Sequence, residues 1–443
     1  MAGLADLGVQ LNPMTVAIIG GGWAGLAAAV TLAEQNVPVK LFETAAQFGG
    51  RARRVTLHGQ PLDNGQHILI GAYQETLRLL KVVGIDATVA CFAPPLTLTV
   101  APNFHLQAAR LPAPWHLGLG LMRSQGITWS EKLSATRFLL KLKRMRFQLP
   151  QENTVAALLT EQQQNQRLNA VLWHPLCLAA LNTPPQQASA QVFVNVLRDA
   201  FFTTRDASRL LLPRCDLGAL FPDAAARYLT AQGAQLNYNQ RIHSVDLHAG
   251  AFQLHHAQGQ ESFTRIIAAV APFHATQLLG HISALQPILA PLSTWQYQPI
   301  YTVYLQYDAA LRLPFPMQGL SQGIAQWVFD RALTQQPGLL AVIISAQGEH
   351  TGWSHERIVA QIQTELRSAL DIHATPRWTQ VIAEKRATFA CTPGLNRPAN
   401  QTPVPGLYLA GDYTESEYPA TLEAAVRSGV KSARLVLSSL QQT

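Results

Sequence analysis

Residues 16–43, VAIIGGGWAGLAAAVTLAEQNVPVKLFE, constrain the fold of this chain more than any other stretch. Val16, Ala17, Ile18 and Ile19 form a continuous apolar run of the kind that makes a strand buried on both faces. The glycines that follow stand as Gly20-x-Gly22-x-x-Gly25, and an alanine-rich helix runs out of them. The first glycine permits a tight turn, the second lets backbone approach a pyrophosphate, and the third lets the helix pack closely on the sheet. The start of that helix, with Trp23 and Ala24, offers free N–H groups and partial positive charge to a phosphate. Glu43 ends a second strand eighteen residues after Gly25. A carboxylate there accepts hydrogen bonds from an adenosine ribose and disfavours a 2′-phosphate, so FAD or NAD suits the site better than NADP. Glycine turns also occur in ordinary loops. Here the strand, the helix and the acid all agree, and they predict a Rossmann-like dinucleotide-binding domain of α/β class.

The choice of dinucleotide is made just downstream. Phe48-Gly49-Gly50-Arg51-Ala52-Arg53 comes next, followed by Asp63-Asn64-Gly65-Gln66-His67. A nicotinamide enzyme has no need of a second glycine pair with arginines. FAD lies extended and needs further backbone and cationic contacts, which makes Gly50, Arg51, Gly65, Gln66 and His67 cofactor candidates. Near the C-terminus, 406–412 is a short apolar strand ending in Gly411-Asp412, and a helix begins at Thr421 and Leu422. A helix N-terminus at that place stabilises negative charge on a reduced flavin ring. Ile242, on a strand returning to the nucleotide domain, completes the set. The layout resembles the GG-doublet flavoproteins, which include amine oxidases, protoporphyrinogen oxidase and the carotenoid (phytoene) desaturases. In that class an aspartate placed like Asp412 binds the ribityl or pyrophosphate region of FAD.

Composition narrows the setting. With 443 residues, 48% hydrophobic and only 13% charged, the chain is globular, with room for two or three lobes. Its net charge of +7 is dispersed and carries no nucleic-acid motif, so an anionic membrane surface is the better partner. Cys91, Cys177, Cys215 and Cys391 lie far apart, which argues against a metal site or disulfide framework and suits a reducing cytoplasm. The opening 1–13 lacks the basic and apolar regions of a signal peptide and is expected to be a flexible extension. The apolar window 16–33 is long enough for a membrane span, but its glycines belong to the nucleotide turn.

The lobes interleave along the chain. Segments 14–90, 235–290 and 391–443 are expected to build the FAD-binding domain, with 236–245 as one returning strand. Segments 91–234 and 291–390 are expected to build an α+β substrate-binding domain, its sheet coming from the alternating stretches. A helix is expected over 68–83. Within 111–149 lies a basic amphipathic helix at 137–147. Its Leu139, Leu142 and Met145 share one face, suited either to an anionic lipid surface or to a core. Two apolar helices joined by a proline turn within 173–199 would make a hydrophobic wall.

From about Val16 onward the chain resembles one branch of the class, the squalene-associated FAD-dependent desaturase family. The resemblance rests on LDNGQHILIGAY (62–73), WHPLCLAALNTPPQQASAQVFVNVLRDAF (173–201) and GLYLAGDYTESEYPATLEAAVRSG (406–429), of which the second is the most specific. It implies conversion of hydroxysqualene to squalene in bacterial squalene and hopanoid biosynthesis; a lipid substrate, the basic charge and the 111–149 region together lead us to expect a cytoplasmic protein peripheral on the inner face of the cell membrane. Chemically the conversion is protonation and loss of an allylic hydroxyl followed by hydride delivery from reduced flavin, in a dry apolar tunnel. No second nucleotide fingerprint identifies the electron donor. Candidates for the acid are His67, beside the Asp63–Gly65 turn, and Asp199 and Asp216, in or beside the family-specific stretches. Helix capping is the structural alternative for the two aspartates, and apolar packing for Cys177. Two other functions stay open. One is desaturation of a carotenoid or oxidation of an amine, for which Tyr413 and Tyr418 offer part of an aromatic cage. The other is a non-catalytic lipid-binding protein that keeps the nucleotide fold.

Overall fold

Leu11–Ile19, the first strand, pairs in parallel with Val39–Phe42 on one side and with Gly259–Ala268 on the other. The structure is a computed structural model and describes residues 11–442. Residues 1–10 of the expected extension lie outside the described residues, whereas Leu11 and Asn12 already pair with Ser262 and Phe263. Gln235–Asn237 extends the sheet beyond Val39–Phe42, and Leu407–Leu409 joins the C-terminal half of Gly259–Ala268 in parallel. The N-terminal half of that long strand turns instead to an antiparallel meander of Ala251–His256 and Ile242–His248. The single returning strand expected over 236–245 is thus two strands at opposite ends of the sheet. Asn239, at φ +53°, breaks it between them.

Helix Trp23–Ala33 is buried along its whole length, which accounts for the apolar window without any membrane. Helix Leu422–Leu440 crosses it closely, because Gly429 brings its backbone against Ala24 O, where a Cβ would not fit. Helix Pro222–Ala231 packs on the same helix, and its Ala225 and Leu229 join the nucleotide-domain core. Sequence alone placed this helix in the substrate region.

The second seven-stranded sheet runs Trp378–Phe389, Tyr297–Gln306, Leu339–Ser345, Trp327–Asp330, Met317–Leu320, Thr97–Ala101, Phe104–Gln107. Side chains alternate between its faces. Leu340, Val342 and Ile344 pack under helix His355–Leu370, while Ile343 faces the other way, into a cavity. In place of one helix over 68–83, Leu69–Ile70 pairs with Leu210–Leu211 and the helix spans only Gln74–Val82. Tertiary strand pairing overrides the local helical spacing there.

The two lobes are pinned by a buried ion pair. Asp63 Oδ2 lies 2.7 Å from Arg331 Nη1, and both side chains are 3% exposed. The other Asp63 oxygen accepts from Leu217 N at 2.8 Å. Tyr304 Oη donates to the Asp63 carbonyl at 2.9 Å.

Candidate active site

The glycine motifs converge. Gly20 has φ +108°, and a Cβ there would run into Ala269 O. Gly22 precedes helix Trp23–Ala33 as its N-cap with no side-chain cap, so the first N–H groups of the helix are left for another acceptor. Gly50, at φ +61°, packs on that turn so closely that a Cβ would sit 3.1 Å from Gly22 Cα. Two glycine motifs are needed because the second lies on the first. Glu43 stands beside them, accepting from Gly21 N at 2.7 Å and from Ala45 N at 2.8 Å. The C-terminal motif closes the ring: Arg51 donates to Asp412 Oδ1 at 2.7 Å and to Ala387 O at 2.6 Å.

These residues open into a cavity of about 920 Å³. Gly20, Gly22, Trp23, Ala24, Glu43, Gly50, Arg51, Gly65, Gln66, His67, Ile242, Asp412, Thr421 and Leu422 all line it. Gly25 and Gly411 do not. Gly25 packs against Gly20 O, and Gly411 lies against the Tyr413 ring, so their roles are close packing and turn geometry. The far part of the same cavity is apolar. Leu176 and Ala180 of helix His174–Leu181 and Phe193, Val196 and Leu197 of helix Ala190–Phe201 face Met317, Trp327 and Ile343 of the second sheet. An uncapped helix start, open space beside Gly22 (a Cβ there meets nothing nearer than Gly50 Cα at 3.8 Å) and an adjacent carboxylate fit a dinucleotide.

The three acid candidates separate. Asp216 is not at the cavity. It caps helix Leu217–Leu220 by accepting from Ala219 N, and it pairs with Arg54 at 2.8 Å. Asp199 lines the cavity but is held by Arg198 at 2.6 Å. His67 lines it as well, with Nδ1 2.6 Å from Gly65 O. Desolvation lowers the His67 pKa, so the ring is neutral, and donating through Nδ1 leaves Nε2 as an acceptor. A ring in that state takes a proton rather than gives one. Tyr418, beside Asp199, keeps its proton: burial first, then the facing Asp199 carboxylate, raise its pKa.

Buried neutral histidines have a consequence for acid stability. Desolvation lowers the pKa of His67, His116, His174 and His350 below the ordinary value near 6.5. Below about pH 6.5 the unfolded chain binds protons that the folded chain does not, so stability falls as pH is lowered through that range. Thermal unfolding followed from pH 7.5 to 5.5 is expected to show a steadily falling midpoint. A midpoint that rises on acidification would contradict this.

Residues 23–437 match the family profile described as flavin containing amine oxidoreductase. The chain belongs to that family. It is a flavin-dependent oxidoreductase. Among curated relatives, hydroxysqualene dehydroxylase of Sinorhizobium fredii is 28% identical, with 96% of this chain and 99% of the relative covered. That of Rhodopseudomonas palustris is 29% identical over the same shares. The 15-cis-phytoene desaturase of Synechococcus elongatus is a more distant relative, 24% identical with 96% of each chain covered. Among solved structures, a putative protoporphyrinogen oxidase from Exiguobacterium superposes with TM-score 0.71 at 16% identity, covering 97% of this chain and all of that one, which speaks to the fold alone.

Several cavity-lining residues of this amine oxidoreductase family member escaped sequence analysis. Arg386 and Thr388 reach the cavity from the long strand Trp378–Phe389, and Gln240 and Arg241 from the turn before Ile242. No local motif marks them. Ala269, Val270 and Ala271 were legible in principle, since they follow a strand parallel to the glycine-turn strand. The two tyrosines do not make an amine cage. Tyr413 is fully buried outside the cavity, and only Tyr418 lines it.

Proposed function

We propose that this flavoprotein binds FAD and reductively dehydroxylates hydroxysqualene to squalene. The observation that carries the proposal is the continuity of one cavity from the glycine turns to an apolar chamber walled by the 173–201 helices. Glu43 beside the glycine turn favours an adenosine ribose, and the second glycine pair suits extended FAD over NAD. The relatives named hydroxysqualene dehydroxylase, matched nearly end to end, supply the substrate class. The four cysteines are free thiols, in keeping with a reducing cytoplasm.

In this reaction the allylic C–O bond breaks as a proton reaches the leaving oxygen, water departs, and the carbon gains a hydride. Bound FAD, once reduced by a separate donor, supplies that hydride. The chain supplies the rest. Leu176, Phe193, Val196 and Leu197 exclude water, which protects the delocalised cation from recapture. Ion-paired Asp199 accepts from the Tyr418 hydroxyl and holds it at that wall. His67 Nε2 can accept from the departing water.

The test is anaerobic. The purified flavoprotein is reduced chemically and mixed with hydroxysqualene. Reoxidation of the flavin with stoichiometric squalene supports the proposal, and a flavin that stays reduced counts against it. Tyr418→Phe is expected to lower turnover by about a hundredfold or more with the flavin spectrum unchanged. Turnover within a few-fold of the parent would remove Tyr418 from the proton path.

A further inference from the structure

Helix Trp129–Arg144 has two apolar faces, and only one of them is used by the core. Ala135, Phe138 and Leu142 are buried, with Phe138 packed edge-on against Trp173. Leu142, which sequence left open between a lipid surface and a core, belongs to this core, and Leu139 is half-buried against it. At about 100° per residue, Trp129, Leu133 and Leu140 fall together on the opposite side. They are 71%, 47% and 51% exposed. The neighbouring helix Trp115–Arg123 adds Trp115, also 71% exposed, with Leu111 just before it. Lys132 joins the two helices, donating to Met122 O at 2.9 Å and lying 4.6 Å over the Trp129 ring. Among the described residues, the other exposed large hydrophobic side chains are Val89, Tyr238 and Leu247, scattered along the sequence.

The charge around this patch has one sign. Arg110, Arg123, Arg137, Lys143, Arg144 and Arg146 are exposed. Within 110–149 the only acid is Glu131, which is buried in the capping box with Thr128. Glu161, 3.9 Å from Lys141, is the nearby counter-charge. Exposed tryptophans and leucines rimmed by cations are the composition of a surface that seats in the headgroup region of an anionic bilayer. No helix among the described residues is long and apolar enough to cross a membrane. The patch also lies next to the cavity. His116, on the buried side of helix Trp115–Arg123, contacts Ser208 Oγ at 3.1 Å, and Ser208 lines the cavity wall.

We infer that helices Trp115–Arg123 and Trp129–Arg144 form a monotopic docking face for anionic lipid, placing the apolar chamber beside the bilayer from which a long-chain substrate is drawn. The docking itself does not depend on which isoprenoid is the substrate.

The test is cosedimentation of the flavin-loaded protein with phosphatidylcholine vesicles, with and without phosphatidylglycerol, at low and high salt. Binding is expected only with phosphatidylglycerol and is expected to weaken with salt. Lys143→Glu with Arg144→Glu and Arg146→Glu should lower partitioning by about a hundredfold, and Trp115→Ser with Trp129→Ser by about tenfold or more. Both variants should keep their flavin content and melting temperature, since these side chains are exposed. Absence of binding to anionic vesicles, or equal binding by parent and variants, overturns the inference. So does a parent dimer that the tryptophan substitutions convert to monomer, because the face would then seat a second copy of the chain.

Discussion

Gly22→Ala is expected to fold normally and lose flavin. Gly22 has an ordinary φ of −73°, and the nearest atom to a Cβ there is Gly50 Cα at 3.8 Å, so the protein itself has room for a methyl group. The surface that gains the methyl is the one that approaches the pyrophosphate in the proposed FAD site. Cofactor affinity should fall by about 1–3 kcal/mol, or roughly 5–150-fold, while the melting temperature of cofactor-free protein stays unchanged. Gly25→Ala is the contrasting variant. Its Cβ would overlap Gly20 O, so both the melting temperature and the flavin should be lost. Flavin titration and thermal unfolding of the two cofactor-free variants separate the roles. Full retention of flavin by Gly22→Ala would show that the cofactor does not approach this turn.

Asp63→Ala is expected to cause the largest loss of stability available from a single side chain outside the glycine turns. The substitution leaves the Arg331 guanidinium buried without its carboxylate and Leu217 N without its acceptor. Breaking a buried pair from one side costs about 3–5 kcal/mol. Arg331 also bonds Gln66 Oε1 at 2.6 Å, so the damage reaches the cavity wall and should lower flavin occupancy too. Replacing both partners, Asp63→Ala with Arg331→Met, removes the stranded charge and should recover much of the lost stability. Denaturant midpoints of the single and double variants measure the difference. A double variant no better than Asp63→Ala would mean that the Leu217 cap, rather than the ion pair, holds the lobes.

The glycine-lined end of the cavity was largely legible in the sequence because its contacts are local. Glycines, an uncapped helix start and an acid ending the next strand act within a few residues of one another, and their spacing is set by covalent geometry. The apolar end of the cavity was less legible. Asp199 and Asp216 are alike as letters. One reaches the cavity beside Tyr418 and the other caps a four-residue helix, a distinction made by packing between distant segments. The basic helix shows the same limit. Helical spacing groups Leu139, Leu142 and Met145 as readily as Trp129, Leu133 and Leu140, and only the position of Trp173 shows which face the core takes.

The amino-acid order by itself determined the nucleotide fold, because periodicity, turn chemistry and glycine spacing are short-range properties. Tertiary structure alone decided that Asp63 meets Arg331, that Arg51 meets Asp412, and that the apolar wall and the glycine turns share one cavity. Those partners are separated by hundreds of residues, and their meeting depends on how whole sheets and helices bury their faces against one another.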